Sequence, residues 1–290
     1  MRPVLLLLTC IFMTVASCSD SRSKKTIGPA KMKIENKGVN IDYTDTKTGD
    51  TVLVFLHGWG TNKTYWEQQI PHFQKKYRVV TIDLPGFGKS GKNRETWTVE
   101  DYSRDVTAVF ESLDLTNVIL IGHSMSGSIV VETALQNPTR ILGIVGVDNL
   151  KNVGLITADM KKEWAVFYDS ARSNFKNVVS AEINGLFSPS TSKAVRQRVS
   201  NDILSSEPDI AIDCLENLDG YPFAEKLSML DKPLWLVNSS YSATDMAALR
   251  QYGKKITLLE IGPTGHYPML EKPDAFNKLL EEAINGIRSN

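Results

Sequence analysis

Ser124 stands where a serine can act as a nucleophile. The apolar run 118–121 precedes it, Gly122 and Gly127 bracket it, and residues 129–135 can form a helix. A serine on the sharp turn between a buried strand and a helix projects its hydroxyl into a cleft, where free N–H groups at the start of the helix favour developing negative charge. The pattern G-x-S-x-S-G therefore indicates nucleophilic chemistry at Ser124, although an ordinary glycine-rich turn could have the same sequence.

A serine nucleophile needs a base, and the chain has four histidines, His57, His72, His123 and His266. His266 lies in a Gly/Pro-rich loop after the last predicted strand, so its imidazole can reach over the edge of the sheet. His72 ends a surface helix, His57 suits a structural role, and the side chain of His123 is expected to point away from its neighbour. His266 is therefore the predicted base.

Two backbone N–H groups can hold the oxyanion that forms when a serine attacks a carbonyl. One belongs to Trp59, in the segment His57-Gly-Trp-Gly60 that follows the predicted strand 52–56, and the other belongs to Met125, directly after Ser124. Glycines in the first segment let the backbone approach a ligand closely. The alternative interpretation of this segment is a plain strand-to-helix turn.

The order of predicted elements indicates an α/β fold with a mostly parallel central sheet and helices on both faces. Strands alternate with helices from residue 52 to residue 148, and a sheet of this kind places its sites beyond the carboxyl ends of its strands. The predicted core comprises residues 38–149 and 231–290. Residues 150–230 form short helical stretches with an aromatic face, which predicts a helical cap or lid over a substrate pocket.

The N-terminus predicts export. Residues 1–18 combine Arg2 with an apolar run too short to span a bilayer and a small-residue end, which is typical of a secretory signal. The end, Val15-Ala-Ser-Cys18, resembles the lipobox of bacterial lipoproteins, so Cys18 is the predicted lipidation site. Residues 19–37 would be a flexible tether to a membrane of the bacterial cell envelope, outside the cytoplasm. The alternatives are an uncleaved anchor, or ordinary cleavage beside an incidental cysteine.

Charge and composition narrow the class of partner. The chain has 33 basic and 33 acidic residues and no net charge, so nothing points to nucleic acid. Gly86-Phe-Gly88 lacks the third glycine of a dinucleotide-binding loop. No metal-binding cluster is evident in the sequence, and nucleophilic chemistry at a serine needs no cofactor. The oligomeric state is left open.

Four segments together resemble the alpha/beta-hydrolase fold family, in its serine-nucleophile branch. They occur in the family's order, from about residue 40 to the C-terminus: His57-Gly-Trp-Gly60, Asp83-Leu-Pro-Gly-Phe-Gly-Lys-Ser90, Gly122-His-Ser-Met-Ser-Gly127 and Gly265-His-Tyr-Pro-Met-Leu-Glu-Lys-Pro273. The resemblance implies Ser124 as the nucleophile, His266 as the base and a helical cap near residues 150–230.

The resemblance leaves the acid of the triad open. The family usually places an aspartate a few residues after the strand that is here 234–237, but the first carboxylate there is Asp245, which is late and suits a helix cap. Some members carry the acid after the preceding core strand, where this chain has Asp148. Asp148 is therefore preferred and Asp245 is the alternative, with the absence of a functional acid as a third possibility.

The activity that the resemblance implies is that of a serine hydrolase, of the esterase or lipase type, which cleaves a small-molecule ester or similar acyl substrate through an acyl-enzyme. Two other functions stay open. The fold could serve to capture a small ligand with little turnover, or the same three side chains could carry out perhydrolase or C–C hydrolase chemistry.

Overall fold

The computed structural model describes residues 30–289, and within them eight strands form one sheet. The strands are β1 Ala30–Asn36, β2 Val39–Asp45, β3 Val52–Leu56, β4 Arg78–Ile82, β5 Val118–His123, β6 Ile141–Val147, β7 Leu234–Asn238 and β8 Ile256–Glu260.

The sheet is mostly parallel, which confirms the predicted fold class. Its strand order is β1-β2-β4-β3-β5-β6-β7-β8. The six strands β3 to β8 pair in parallel with their neighbours, whereas β1 and β2 form an antiparallel pair at one edge and β2 runs antiparallel to β4. The carboxyl ends of β5, β6, β7 and β8 therefore meet at the same edge of the sheet.

Helices cover both faces of this sheet. They are α1 Ile70–Phe73, α2 Val99–Ser112, α3 Ser126–Gln136, α4 Ala158–Ser173, α5 Phe175–Ile183, α6 Lys193–Leu204, α7 Pro208–Gly220, α8 Phe223–Met229, α9 Met246–Tyr252, α10 Pro268–Glu271 and α11 Pro273–Arg288, with 3₁₀ turns at Lys63–Trp66 and Asn184–Leu186.

Side chains alternate between the two faces along the inner strands. On β3, Val54 and Leu56 pack in the core that α2 and α3 cover, whereas Leu53 and Phe55 pack in the core that α11 covers. All four are fully buried. An apolar residue at every position is what a strand needs when helices lie on both faces, because neither side meets water.

Between β6 and β7 the described chain forms helices and no strand. We call α4 to α8, residues 158–229, the helical insertion. It contacts α3, the helix that follows Ser124. The Tyr221 hydroxyl donates to a Glu132 carboxylate oxygen on α3 at 2.6 Å, and the Lys226 ammonium lies 2.9 Å from the same oxygen.

The predicted tether 19–37 is wrong over its last part, because residues 30–36 form β1. This strand pairs with β2 along its whole length, from Ala30 opposite Asp45 to Asn36 opposite Val39. Lys37 and Gly38 join the two strands with φ of 49° and 82°, the left-handed conformation of a tight hairpin turn. The core therefore begins at residue 30, eight residues before the predicted boundary.

The predicted signal, Cys18 and the first part of the tether lie outside the described residues. Across residues 30–289, the helices are all too short or too polar to cross a membrane.

Candidate active site

Ser124 lies on a strained turn between β5 and α3. Its φ of 52° places a non-glycine residue in the left-handed region, which is costly and recurs at functional sites. Glycines make the turn possible, because a Cβ on Gly122 would lie 2.6 Å from the Ser126 carbonyl oxygen and one on Gly127 would lie 2.8 Å from Asn149 Nδ2. The structure thus has the predicted order of strand, turn and helix around Ser124.

The structure brings Ser124, His266 and Asp148 into one hydrogen-bonded line. His266 Nε2 lies 2.8 Å from Ser124 Oγ, and His266 Nδ1 lies 2.6 Å from Asp148 Oδ2. With Nδ1–H donating to the carboxylate, Nε2 is free to accept the proton of the serine hydroxyl. Ser124 follows β5, Asp148 follows β6, and His266 lies in the loop after β8.

The alternative acid, Asp245, is placed elsewhere. Its carboxylate caps α9 by accepting from the backbone N–H of Ala248 at 2.9 Å, and it makes no hydrogen bond to His266. The helix-cap interpretation of Asp245 is therefore the one that the structure bears out. Asp148 follows β6 and His266 follows β8, and these two strands flank β7 in a parallel part of the sheet, so both residues lie beyond the same edge.

Both oxygens of Asp148 are occupied. Oδ2 faces His266, while Oδ1 accepts from the Ser239 backbone N–H at 2.8 Å and lies 2.8 Å from the Lys151 ammonium. Burial by itself raises the pKa of the Asp148 carboxyl, but the hydrogen bonds and positive charges of His266 and Lys151 outweigh burial and hold this pKa well below its usual range. Asp148 is thus an anion at neutral pH.

His57 and His123 are buried, neutral rings that support the site. His57 Nε2 accepts from the Leu84 backbone N–H at 2.9 Å, so its Nδ1–H donates to the Gly58 carbonyl at 2.8 Å. The ring of His123 donates through Nε2 to the His266 carbonyl at 2.7 Å. Burial is the main cause that lowers both pKa values, that of His123 to about 3. The structural role predicted for His57 agrees with these contacts.

The loop that carries one predicted oxyanion donor, Trp59, lies against the serine turn, and the other, Met125, directly follows Ser124. The Gly58 carbonyl accepts from the Thr61 hydroxyl at 2.9 Å as well as from His57, so the Trp59 N–H of the same peptide unit points the opposite way. A Cβ on Gly58 would lie 3.0 Å from Ser124 Cβ, which shows how closely this loop approaches the serine. Among the described residues, neither the Trp59 nor the Met125 backbone N–H has a hydrogen-bond acceptor.

Sequence reasoning missed the role of Ser126, which it treated as a small substitute for glycine. The Ser126 side chain is fully buried, and its hydroxyl donates to the His57 carbonyl at 2.5 Å. This bond ties the start of α3 to the loop that carries Trp59. The sequence also gave no sign that Lys151 and Ser239 contact Asp148, because these contacts depend on loops that meet only in the folded chain.

One cavity is lined by the serine turn, and a second is lined by Trp59 of the loop that approaches this turn. The catalytic cavity, of about 670 Å³, is lined by Ser124, Met125, Ser128, Asp148 and residues 218–225, together with Asn149, Leu150, Asn152, Val153, Gly154, Ile156 and Lys161. The aromatic cavity, of about 560 Å³, lies within the helical insertion and is lined by a set of mainly apolar side chains that includes Trp59, Trp164, Phe167, Tyr168, Ile183 and Leu215. Among residues 30–289, no group of three His, Cys, Asp or Glu side chains is placed to hold a metal ion.

Comparison with known proteins agrees with this geometry. A family model described as "alpha/beta hydrolase fold" matches residues 51–273. Over 251 residues the chain is 24% identical to the Karrikin insensitive 2 receptor CA of Petunia hybrida, covering 82% of this chain and 93% of the relative. Over 265 residues it is 26% identical to the 2-hydroxy-6-oxononadienedioate/2-hydroxy-6-oxononatrienedioate hydrolase of Burkholderia vietnamiensis, covering 85% and 91%.

A solved structure extends the comparison to three dimensions. The esterase EaEST of Exiguobacterium antarcticum matches with a TM-score of 0.78 at 18% sequence identity, covering 89% of this chain and 100% of that one. At 18% identity, this structural similarity shows that the two chains share a fold and nothing more.

Proposed function

Because this chain belongs to the alpha/beta hydrolase fold family, we propose that it is a serine hydrolase that cleaves an ester or similar acyl substrate. The observation that carries the proposal is the line of hydrogen bonds from Ser124 through His266 to Asp148, of 2.8 and 2.6 Å, beside a cavity large enough for a small molecule. Relatives named as a hydrolase and an esterase support the same class.

The proposed reaction begins when Ser124 Oγ attacks the substrate carbonyl and its proton passes to His266 Nε2. Asp148 stabilises the imidazolium, and the N–H groups of Trp59 and Met125 stabilise the oxyanion. The bond to the leaving alcohol then breaks as His266 returns the proton to the leaving oxygen. A water molecule, deprotonated by His266, attacks the acyl-enzyme, so that the acid is released and the Ser124 hydroxyl is restored.

The test is covalent labelling by a fluorophosphonate together with turnover of p-nitrophenyl esters. We expect an adduct on Ser124, and a rate that falls by roughly 10⁴-fold or more in Ser124→Ala, because the nucleophile is lost. Ser173→Ala, the same substitution at an exposed serine at the end of α4, serves as the control and should keep the label. Absence of an adduct, or an esterase rate that Ser124→Ala leaves unchanged, would refute the proposal.

A second candidate is a small-ligand receptor with little turnover. The likeness to a karrikin receptor over most of both chains favours it. The two functions differ in a measurable way: steady turnover after the first acylation indicates an enzyme, whereas a single burst, with ligand binding that Ser124→Ala leaves intact, indicates a receptor. A peroxide-dependent assay and a C–C cleavage assay test the remaining uses of the same three side chains.

We also propose that Cys18 carries lipid and holds the protein on a membrane of the bacterial cell envelope. The motivation is the lipobox-like sequence before Cys18, and acyl chains on one cysteine would anchor the chain firmly. In Cys18→Ser we expect the protein to leave the detergent phase while fluorophosphonate labelling of Ser124 persists. An unchanged membrane fraction would contradict lipidation at this residue.

A further inference from the structure

Helix α7 separates the catalytic cavity from the aromatic cavity. Leu218 lines the catalytic cavity, Leu215 lines the aromatic cavity, and Asp219 lines both. The Tyr168 hydroxyl donates to the Asp219 carboxylate, which completes this part of the wall. Residues within one turn of α7 therefore line two different cavities.

The aromatic cavity also contacts the oxyanion loop. Trp59 contributes its side chain to the lining, and its indole N–H donates to the Ala211 carbonyl on α7 at 2.7 Å. The backbone N–H of the same residue is the proposed oxyanion donor. The aromatic cavity is thus linked to the serine turn through Trp59, whose loop approaches Ser124, and to the catalytic cavity through α7.

We propose that the aromatic cavity is a second substrate subsite, which binds an uncharged, ring-sized apolar group of the ester. This inference rests on the proposed function. Indole and phenyl side chains favour aromatic or alicyclic groups. The acidic side chains of Glu163, Glu182 and Asp219 belong to the same lining, so an anionic group would be repelled. The substrate class is accordingly a neutral ester with one bulky apolar arm.

The variant Leu215→Trp, which fills the aromatic cavity, tests this subsite. Three esters are compared: ethyl acetate, methyl 4-phenylbutyrate and 4-phenylbutyl acetate, which carry the ring on neither side, the acyl side and the alcohol side. We expect kcat/KM to fall at least about tenfold for one of the phenyl-bearing esters, since a filled pocket excludes the ring, while the value for ethyl acetate changes less than about twofold. The affected ester identifies the arm that the cavity holds.

Leu218→Trp is the matched control, because it makes the same change on the same helix but points into the catalytic cavity. It should lower the rate on all three esters. Binding of 4-phenylbutan-1-ol to the Ser124→Ala protein, measured by calorimetry, gives a readout without turnover and should be lost when Leu215→Trp is added. Equal effects of Leu215→Trp on all esters, or unchanged alcohol binding, would overturn the subsite; absence of any wild-type hydrolysis would instead count against the proposed function.

An independent observation concerns Lys151, whose ammonium is fixed against the carboxylate of Asp148. Lys151 Nζ lies 2.8 Å from Asp148 Oδ1 and donates to the carbonyl oxygens of Ser239 at 3.2 Å and Ser242 at 3.0 Å. An ammonium has three protons, so all its donors are used. The Lys151 side chain is 16% exposed and that of Asp148 is 5% exposed, which limits screening of this ion pair by water.

The geometry points to Lys151 as a positioning residue that fixes the orientation of Asp148 and offsets part of its negative charge, again on the premise of the proposed function. The other titratable groups that face His266 are the rings of His123 at 4.7 Å and Tyr267 at 5.3 Å. Glu271 binds the N–H of the neighbouring Gly265 at 3.0 Å. Because His123 and Tyr267 are neutral, the charged groups around His266 are Asp148, Lys151 and Glu271, and removing the Lys151 ammonium makes these surroundings more negative.

The pH profile of kcat/KM tests this role. Removing the ammonium in Lys151→Met leaves the Asp148 charge uncompensated, so protonated His266 persists to higher pH. We expect the acid limb of the profile to move upward by about 0.5 to 1 pH unit. Lys151→Arg should return the limb toward the wild-type position, and Lys162→Met, which removes the charge of an exposed lysine on α4, should leave it in place.

A purely structural Lys151 gives a different result, namely a lower kcat at every pH with an unmoved acid limb, and this outcome would overturn the proposal. NMR titration of the histidine rings in the Ser124→Ala protein reports the same change without turnover. The Lys151 inference can therefore fail while the hydrolase function stands, and the reverse is also true.

Discussion

At the scale of single residues, three imidazoles occupy the same part of the molecule, but their surroundings give them different roles. His57 and His123 are almost completely buried, and each ring donates one N–H to a backbone carbonyl. His266 is bound on both nitrogens by groups of the site itself, the Asp148 carboxylate and the Ser124 hydroxyl. A proton can therefore move at His266, whereas protonation of the other two rings opposes folding.

The acid of the triad gives the first prediction. Asp148→Asn removes the carboxylate that orients His266, so kcat/KM should fall by roughly 10³- to 10⁴-fold. Asp245→Asn makes the same chemical change at the cap of α9 and should alter kcat/KM less than about threefold, because asparagine caps a helix as well as aspartate. Ester hydrolysis by the two variants checks both expectations. A larger loss from Asp245→Asn than from Asp148→Asn would contradict the assignment.

Burial of His123 gives a second prediction, on the pH dependence of stability. Burial, with a smaller contribution from the charge of His266, lowers the pKa of His123 to about 3 in the folded chain, whereas the unfolded value is about 6.5. Below pH 6.5 the unfolded chain binds a proton at His123 that the folded chain does not bind, so the free energy of unfolding falls as the pH is lowered. Between pH 6.5 and pH 5 the free energy of unfolding should decrease by about 1.6 kcal/mol from this residue alone.

Urea unfolding at the two pH values measures this loss in the wild type and in His123→Gln, whose amide can still donate to the His266 carbonyl. The variant should lose about 1.6 kcal/mol less than the wild type over the same interval. Equal losses in the two proteins would show that His123 is protonated in the folded state.

At the scale of elements, the helical insertion is held on α3 by a small buried group of charges. Glu132 lies on α3 and is 4% exposed. It accepts from Tyr221 between α7 and α8, and pairs with Lys226 on α8. Burial by itself raises the pKa of the Glu132 carboxyl, but the hydrogen bonds from Tyr221 and Lys226 outweigh it and lower this pKa. The same helix thus begins beside the nucleophile and ends by supporting the insertion above it.

Tyr221→Phe removes one hydrogen bond to the buried Glu132 carboxylate. A hydrogen bond to a charged group contributes about 1.5 to 3 kcal/mol, so the amides of α7 and α8 should exchange with solvent roughly 10-fold faster or more. Hydrogen exchange followed by mass spectrometry measures this, with Tyr241→Phe, a substitution at an exposed tyrosine outside the insertion, as the control. The prediction fails if α7 and α8 exchange at the wild-type rate in Tyr221→Phe.

At the scale of the whole molecule, the sheet extends beyond its parallel centre to an antiparallel edge. β1 covers the outer edge of β2, and Asn36 at its end donates to Asp105 on α2 at 2.9 Å. Asp105 is 2% exposed, so its carboxylate depends on such partners. β1 therefore belongs to the folded unit, and an exposed β2 edge without it would favour pairing with other chains.

Truncation tests this boundary. A chain that begins at Ala30 should unfold at the temperature of one that begins at Ser19, whereas a chain that begins at Val39 should unfold at least several degrees lower. Loss of the Asn36–Asp105 bond alone costs about 1.5 to 3 kcal/mol, and 1 kcal/mol corresponds to roughly 2–4 °C in a domain of this size. Thermal scans and sedimentation measure stability and association. Equal unfolding temperatures for all three chains would show that residues 30–36 do not stabilise the fold and belong to the tether.

Local patterns of residues were enough to predict several strands and the turn at the serine. Apolar runs of strand length predicted β3, β5, β6 and β7, and glycines at 122 and 127 predicted the turn at Ser124. Those signals lie within a few residues of one another, because a strand, a turn or a helix is built from neighbours. The hairpin turn at Lys37-Gly38 was also local, but the Ser/Lys/Gly-rich composition around it obscured the strand before it.

The contacts between groups that are distant along the chain could be assigned only from the tertiary structure. Asp148 and Asp245 were both compatible with the sequence. The parallel strands β6, β7 and β8 end at one edge of the sheet, where Asp148 meets the loop that carries His266. Lys151 and Ser239 reach the same carboxylate from two other loops. Such contacts follow from strand order and loop geometry, which one-dimensional patterning does not contain, because the chain separation of two residues does not fix their distance in the fold.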